Sequence, residues 1–98
     1  MTPPLDADAL RAALAELPEW ELRDGRLHRT LRFPSFARAF GFMAAVALVA
    51  ERMDHHPDWR NVHRTVEIEL TTHAAGPALT ELDVALAHRI DELAATGA

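Results

Sequence analysis

The order of elements along the chain predicts an α+β fold: a four-stranded antiparallel sheet with helices packed on one face. Three observations carry it. Val66, Ile68, Leu70 and Thr72 alternate with Glu67, Glu69, Thr71 and His73, the period of a half-buried strand with one polar face. Asp24-Gly25 sits between two short strand-like runs, where a hairpin needs positive φ. Two longer segments with helical apolar spacing follow one strand pair each, so after a short first helix the order is strand, strand, helix, strand, strand, helix.

Each element has its own signal. Asp6 is placed as an N-cap for a short amphipathic helix with Leu10, Leu14 and Leu17 on one side, and Pro18 ends it. "WELRDGRLHRTLRF" supplies the first hairpin. Pro34-Ser35 marks the next boundary, and with Ser35 as N-cap "FARAFGFMAAVALVAERM" reads as a long helix. Between Ala39 and Ala50 its apolar residues fall almost all round, wider than one stripe on one sheet requires. Either the second face meets another subunit, or alanines are merely tolerated there. Pro57 cannot continue the helix and pushes His56 out of the α region, so the helix stops near Asp54 or His55. A short strand is expected around Asn61 to Arg64, pairing with the alternating one. "HAAGPA" is a loop by its Gly and Pro, and Thr80 with Asp83 three residues on resembles a capping box. Leu82, Leu86, Ile90 and Leu93 give the stripe of a last helix. The face of the sheet without helices must then meet water, a ligand or another copy of the chain.

Ninety-eight residues, 49% of them hydrophobic, suit a single domain over 1–98 with a modest core. No apolar run is long enough for a membrane span, and "MTPPLDADAL" lacks the basic and apolar regions of a signal peptide, so a cytoplasmic location is expected. The absence of cysteine removes disulfides, thiol nucleophiles and thiolate zinc sites. A formal charge of −5 and dispersed arginines argue against direct nucleic-acid binding.

The chemistry concentrates in "AERMDHHPDWRNV", residues 50–62. If the helix persists to His55, Glu51 lies four residues before it on the same face, where carboxylate and helix dipole both favour an oriented imidazolium. His73, at the end of its strand, would approach the helix exit, so that His55, His56 and His73 line one pocket with Trp59 as an apolar wall for a flat ring. Imidazoles so grouped suit acid–base catalysis. Of the six histidines, His28, His63 and His88 read as ordinary half-exposed polar residues. A metal held by His55, His56, His73 and Glu51 is the rival reading. Adjacent histidines rarely point the same way and no HExxH pair exists, so no metal is expected. Ser35, the sole serine, serves better as a cap than as a nucleophile, and there is no phosphate loop.

The run "FARAFGFMAAVALVAERMDHHPDWRNVHRTVEIELTTH", followed by "LTELDVALAHRID", resembles the pterin-4a-carbinolamine dehydratase family, and the resemblance extends from about Trp20 to Leu93. Glu-x-x-x-His-His-Pro-x-Trp, the Asn61-Val62 pair and a strand ending in Thr-His are specific in combination. The resemblance implies the same α+β fold, self-association to homodimers or homotetramers, and loss of water from 4a-hydroxytetrahydropterin to give quinonoid dihydropterin without metal or organic cofactor. It further implies acid–base roles for His55 and His73, and pterin binding by His56 and the backbone around Pro57. Glu51 would orient His55, Thr72 and Ala74 would sit at the rim beside His73, and Trp59 would support the pocket. This chain departs from the family pattern in having Ala74 where an acid is usual, a loop one residue longer at Pro77, Asp54 for a common Asn and His63 for a common Tyr. Some animal relatives also act as dimerisation cofactors for a transcription factor, so a binding module is the alternative from another class. A pocket altered to hold another flat heterocycle is a third.

Overall fold

The computed structural model describes residues 2–96; residues 1, 97 and 98, which the span 1–98 takes in, lie outside the described residues. The chain runs α1 (Ala7–Ala15), β1 (Glu21–Arg23), β2 (Arg26–Arg32), α2 (Phe36–Met53), β3 (Asp58–Val62), β4 (Thr65–Leu70), a single 3-10 turn (His73–Ala75) and α3 (Glu81–Ala95). The strands form one antiparallel sheet in the order β1-β2-β4-β3. This is the α+β architecture that the element order predicts.

Local signals set most boundaries. The Asp6 carboxylate accepts from the Ala9 N–H at 2.8 Å and opens α1. Asp24 and Gly25 adopt φ of 52° and 76°, the pair of positive values that a two-residue hairpin turn demands. Ser35 caps α2 by accepting from the Arg38 N–H. At α3 the capping box is complete: Thr80 caps the first turn with its side chain, and Asp83 reaches back to the Thr80 N–H at 2.9 Å.

Three boundaries differ from expectation. Helix α1 stops at Ala15, because Glu16 and Leu17 donate to Ala13 and Leu14 in tighter three-residue closures; Leu17 therefore enters the core from a turn rather than from the helix. Strand β3 begins at Asp58, directly after Pro57, and ends at Val62 instead of starting near Asn61. The hairpin turn falls on His63 and Arg64, with His63 at φ 54° and the Asn61 amide donating to the His63 and Thr65 carbonyls. Strand β4 ends at Leu70. Asp58 pairs with Glu69, and Pro57 brings no N–H to extend the ladder, so beyond Leu70 the chain pairs with its own returning loop through Thr72 and Ala78. Thr71 is buried as well as Thr72, which breaks the alternation there and leaves His73 off the strand.

The sheet register sorts the side chains. Leu27 opposite Leu70 and Leu31 opposite Val66 point toward the helices, as do Arg29 and Trp59, which both flank Ile68. Phe42 and Val46 from α2 and Leu86 and Ile90 from α3 complete the core with no measurable exposure. At its rim the Asp91 carboxylate accepts from the Trp20 indole N–H at 2.8 Å and from Arg29, tying α3 to the first hairpin. The opposite face of the sheet is closed by charge. Arg26 reaches Asp58 at 3.2 Å and Glu69 at 3.5 Å, and His28 meets Glu67 at 3.1 Å. His28 is buried there, contrary to the half-exposed reading; His88 is half-buried and His63 exposed.

Helix α2 has two apolar sides of different fate. Ala39, Phe42, Val46 and Ala50 face the core, while Phe36, Phe40 and Leu48 remain 51%, 60% and 75% exposed. Large side chains, and not alanines alone, make up the outer side. Among the described residues no helix is long and apolar enough to cross a membrane.

Candidate active site

The site begins with the way α2 ends. Asp54 takes the left-handed conformation, φ 53° and ψ 42°; its N–H donates to Glu51, and the His55 N–H donates to Ala50. That pair of bonds is the Schellman closure, and it turns the chain sharply at a residue type that tolerates positive φ. Pro57 then keeps His56 extended. The reversal sends the two histidines to different partners.

His55 goes inward. It is 8% exposed, and its Nε2 lies 2.7 Å from Oδ1 of Asp83, which is fully buried. The other carboxylate oxygen of Asp83 accepts from the Thr72 hydroxyl at 2.8 Å and from the Thr80 N–H at 2.9 Å. The Thr72 proton is thus committed to the carboxylate, so the Thr80 hydroxyl, 2.8 Å from Thr72, donates to it. Both oxygens of this buried carboxylate are engaged. With Nε2 of His55 donating to Asp83, Nδ1 is the nitrogen left to meet a ligand.

His56 goes outward, and its Nε2 lies 2.8 Å from Oε1 of Glu51, both side chains being exposed. The expected Glu51–His55 pair is therefore replaced by Glu51–His56. The i, i+4 geometry behind that expectation requires helix through His55, and the left-handed turn at Asp54 removes it. Among the described residues the Glu51 carboxylate is bonded to His56, and Glu51 itself does not line the cavity that the histidines share.

A cavity of about 290 Å³ lies between these groups, lined by Asp54, His55, His56, Thr71, Thr72, His73, Ala74 and Leu82. The three predicted histidines meet here, together with Thr72 and Ala74. Trp59 does not line the cavity: it sits across from Ile68 on the helix-facing side of β3 and packs against the core. Pro57 is half-buried and follows His56 in the chain but is not itself a lining residue. A somewhat larger cavity, about 360 Å³ along β2, is lined by Arg29, Arg32, Phe33 and Arg38 among others and carries no imidazole. Chemistry rather than volume singles out the histidine cavity. Among the described residues no group of three or more His, Asp or Glu side chains converges as metal ligands would.

Sequence reasoning missed Asp83, Asp54, Thr71 and Leu82 as members of the site. The capping box flagged Asp83 as a residue with one oxygen turned to the helix start. Nothing local could say that its second oxygen would reach a histidine 28 residues earlier.

Residues 3–93 match the family described as pterin 4 alpha carbinolamine dehydratase. A protein of Afipia carboxidovorans, provisionally named pterin-4-alpha-carbinolamine dehydratase, is 56% identical over 93 residues, covering 93% of this chain and 92% of the relative. One of Jannaschia sp., with the same provisional name, is 51% identical over 98 residues, covering 96% and 99%. Among solved structures, a transcriptional coactivator/pterin dehydratase from Brucella melitensis superposes with a TM-score of 0.87 at 37% identity, over 92% of this chain and 97% of its own. A pterin dehydratase-like protein identified as a RuBisCO assembly factor in the alpha-carboxysome gives a TM-score of 0.64 at 28% identity, over 76% and 86%.

Proposed function

The chain belongs to the pterin 4 alpha carbinolamine dehydratase family, and from that membership we propose that it dehydrates a 4a-hydroxytetrahydropterin to the quinonoid dihydropterin, as a hydro-lyase in tetrahydrobiopterin recycling. The observation that carries the reading is the convergence of His55, His56 and His73 on one cavity, with His55 held by the buried Asp83.

The reaction breaks the bond from C4a to its hydroxyl and forms a double bond from C4a to the adjacent ring nitrogen. One group must donate a proton to the departing oxygen, and another must take the proton from that nitrogen. We assign these tasks to His55, through Nδ1, and to His73. The Asp83 carboxylate supports this role for His55 by holding Nε2 as a donor, which fixes the tautomer and the orientation of the ring. His56, braced by Glu51, and the backbone around Pro57 hold the pterin ring, with Thr72 and Ala74 at the rim. Trp59 supports β3 from the core side. The chemistry calls for no metal or organic cofactor. The test follows the loss of water from freshly generated 4a-hydroxytetrahydropterin by ultraviolet absorbance, with and without the protein, a chelator being present throughout. Acceleration that survives the chelator supports the reading, and its absence overturns it.

A second proposal concerns assembly. The exposed Phe36, Phe40 and Leu48 on α2 favour self-association to a homodimer or homotetramer, since large apolar groups clustered on one helix side are costly to leave in water. The same ridge is what a non-catalytic binding role, as the Brucella and carboxysome proteins' descriptions suggest for them, would use.

A further inference from the structure

Trp59, expected as the apolar wall for a flat ring, faces the core side of β3, so the histidine cavity must find its apolar surface elsewhere. Its lining supplies one. Three histidines, two threonines and Asp54 are polar, Ala74 offers a methyl group, and among the described residues Leu82 alone brings a large apolar side chain to the cavity.

Leu82 opens the stripe that runs on through Leu86 and Ile90, but it does not share their burial. Leu86 and Ile90 have no measurable exposure, whereas Leu82 is half-buried and belongs neither to the core nor to the apolar side chains packed against it. Its backbone is fixed by the cap of α3. The Leu82 N–H donates to the Thr80 hydroxyl oxygen at 3.2 Å, and the next residue, Asp83, accepts from the Thr80 N–H at 2.9 Å and lies 2.7 Å from the His55 ring. One capped turn thus carries two neighbours with different tasks. Asp83 holds His55 from within the protein, and Leu82 presents apolar surface to the cavity that His55 lines.

Laying a flat ring on an aliphatic side chain takes apolar surface of both out of water. Ligand cavities are usually apolar with a few polar groups; here the proportions are reversed, so the single apolar wall takes a large share in holding a ring. An aliphatic wall neither donates nor accepts a hydrogen bond. It selects for an uncharged ring face and leaves the edges of the ring to the imidazoles and the backbone.

We propose that Leu82 is the ring-binding wall of this cavity and a specificity-determining residue for the dehydration: the face of the pterin ring lies on the Leu82 side chain, in the role expected of Trp59. The inference rests on the pterin reading of the cavity and adds to it the residue that sets affinity for the ring.

The test measures steady-state dehydration beside equilibrium binding of a stable 7,8-dihydropterin, followed by its fluorescence, in the full chain and three variants. Leu82→Ala is expected to raise both KM and the dihydropterin Kd about tenfold, the low end of the range for apolar pocket contacts, because a ligand covers only the half of the side chain that the protein leaves open. No proton moves through this side chain, so kcat is expected to stay within about twofold. Leu82→Gln, equally long but polar at its tip, is expected to weaken binding as Ala does, and Leu82→Met, which keeps the apolar bulk, to bind within about threefold of the parent. The urea midpoint of each variant is expected to match the parent, since the side chain lies outside the core. Unchanged KM and Kd in Leu82→Ala and Leu82→Gln, or a fall in kcat in their place, overturns the proposal and leaves the dehydratase reading standing. A shift in sedimentation on Leu82→Ala would make the side chain a subunit contact and overturn it as well. A parent chain that neither turns over nor binds the dihydropterin overturns both.

Discussion

Oδ1 of Asp83 lies 2.7 Å from Nε2 of His55, and both side chains are buried. The pair joins the exit turn of α2 to the first turn of α3. Asp83 therefore serves as a helix cap and as the partner of a histidine at once, one oxygen for each. Replacing Asp83 with Asn keeps the shape but puts an N–H donor where one of the two acceptor oxygens stood, so Nε2 of His55 cannot be held as a donor while Thr72 and Thr80 keep their acceptor. We expect turnover to fall by about 10²-fold. Asp83→Ala also strips an acceptor from Thr72, Thr80 and His55, and is expected to cost about 3 kcal/mol of stability in urea denaturation. An Asp83→Asn protein with full turnover would remove the pair from the mechanism.

His55→Ala and His73→Ala are each expected to lower turnover by about 10²–10⁴-fold, the usual range for one acid–base group. Their structural consequences differ. His73 is exposed and its side chain makes no hydrogen bond among the described residues, so its loss should leave the melting temperature unchanged, whereas loss of the buried His55 should lower it. A double variant retaining near-full activity would rule out both assignments.

Glu51 and His56 form an exposed pair, and such pairs contribute only about 0–1 kcal/mol. Glu51→Gln should leave stability within that range. If His56 holds the pterin ring, the change appears in KM with kcat little altered, as steady-state kinetics would report. A fall in kcat alone would give Glu51 a part in the chemistry itself.

Asp91 takes hydrogen bonds from Trp20 and Arg29 at the rim of the core, far in sequence from both. Asp91→Ala leaves a part-buried guanidinium and an indole N–H without their acceptor, at an expected cost of about 2 kcal/mol. Turnover per folded molecule should not change. Urea denaturation read beside the absorbance assay separates the two effects.

Phe40 is 60% exposed, and its ring stands 6.1 Å from that of Phe36 on the outer side of α2. Placing a charge there with Phe40→Glu should leave the fold intact and shift sedimentation toward a smaller species. Unchanged sedimentation would remove this ridge from any assembly interface.

Much of this protein was legible in its residues because the signals involved are short in range. Asp24-Gly25 needs only its own two φ angles, Ser35 and Thr80 cap the turn that follows them, Pro57 blocks its own helix, and the alternation from Val66 to Leu70 follows from the pleat. The α+β layering and the meeting of His55, His56 and His73 could be expected from these, together with the family resemblance. Which histidine met which acid could not. That choice rests on the left-handed turn at Asp54, which rotates His55 inward and His56 back over Glu51, and on the docking of α3, which carries Asp83 to a ring nitrogen 28 residues away. Trp59 shows the same division: its apolar bulk was a local matter, but its place on β3, ahead of the strand expected near Asn61, and the face it turned to depended on pairing with Ile68. Hydrogen bonds between distant side chains form only after the elements have packed, so their partners are set by tertiary geometry and leave no pattern along the chain.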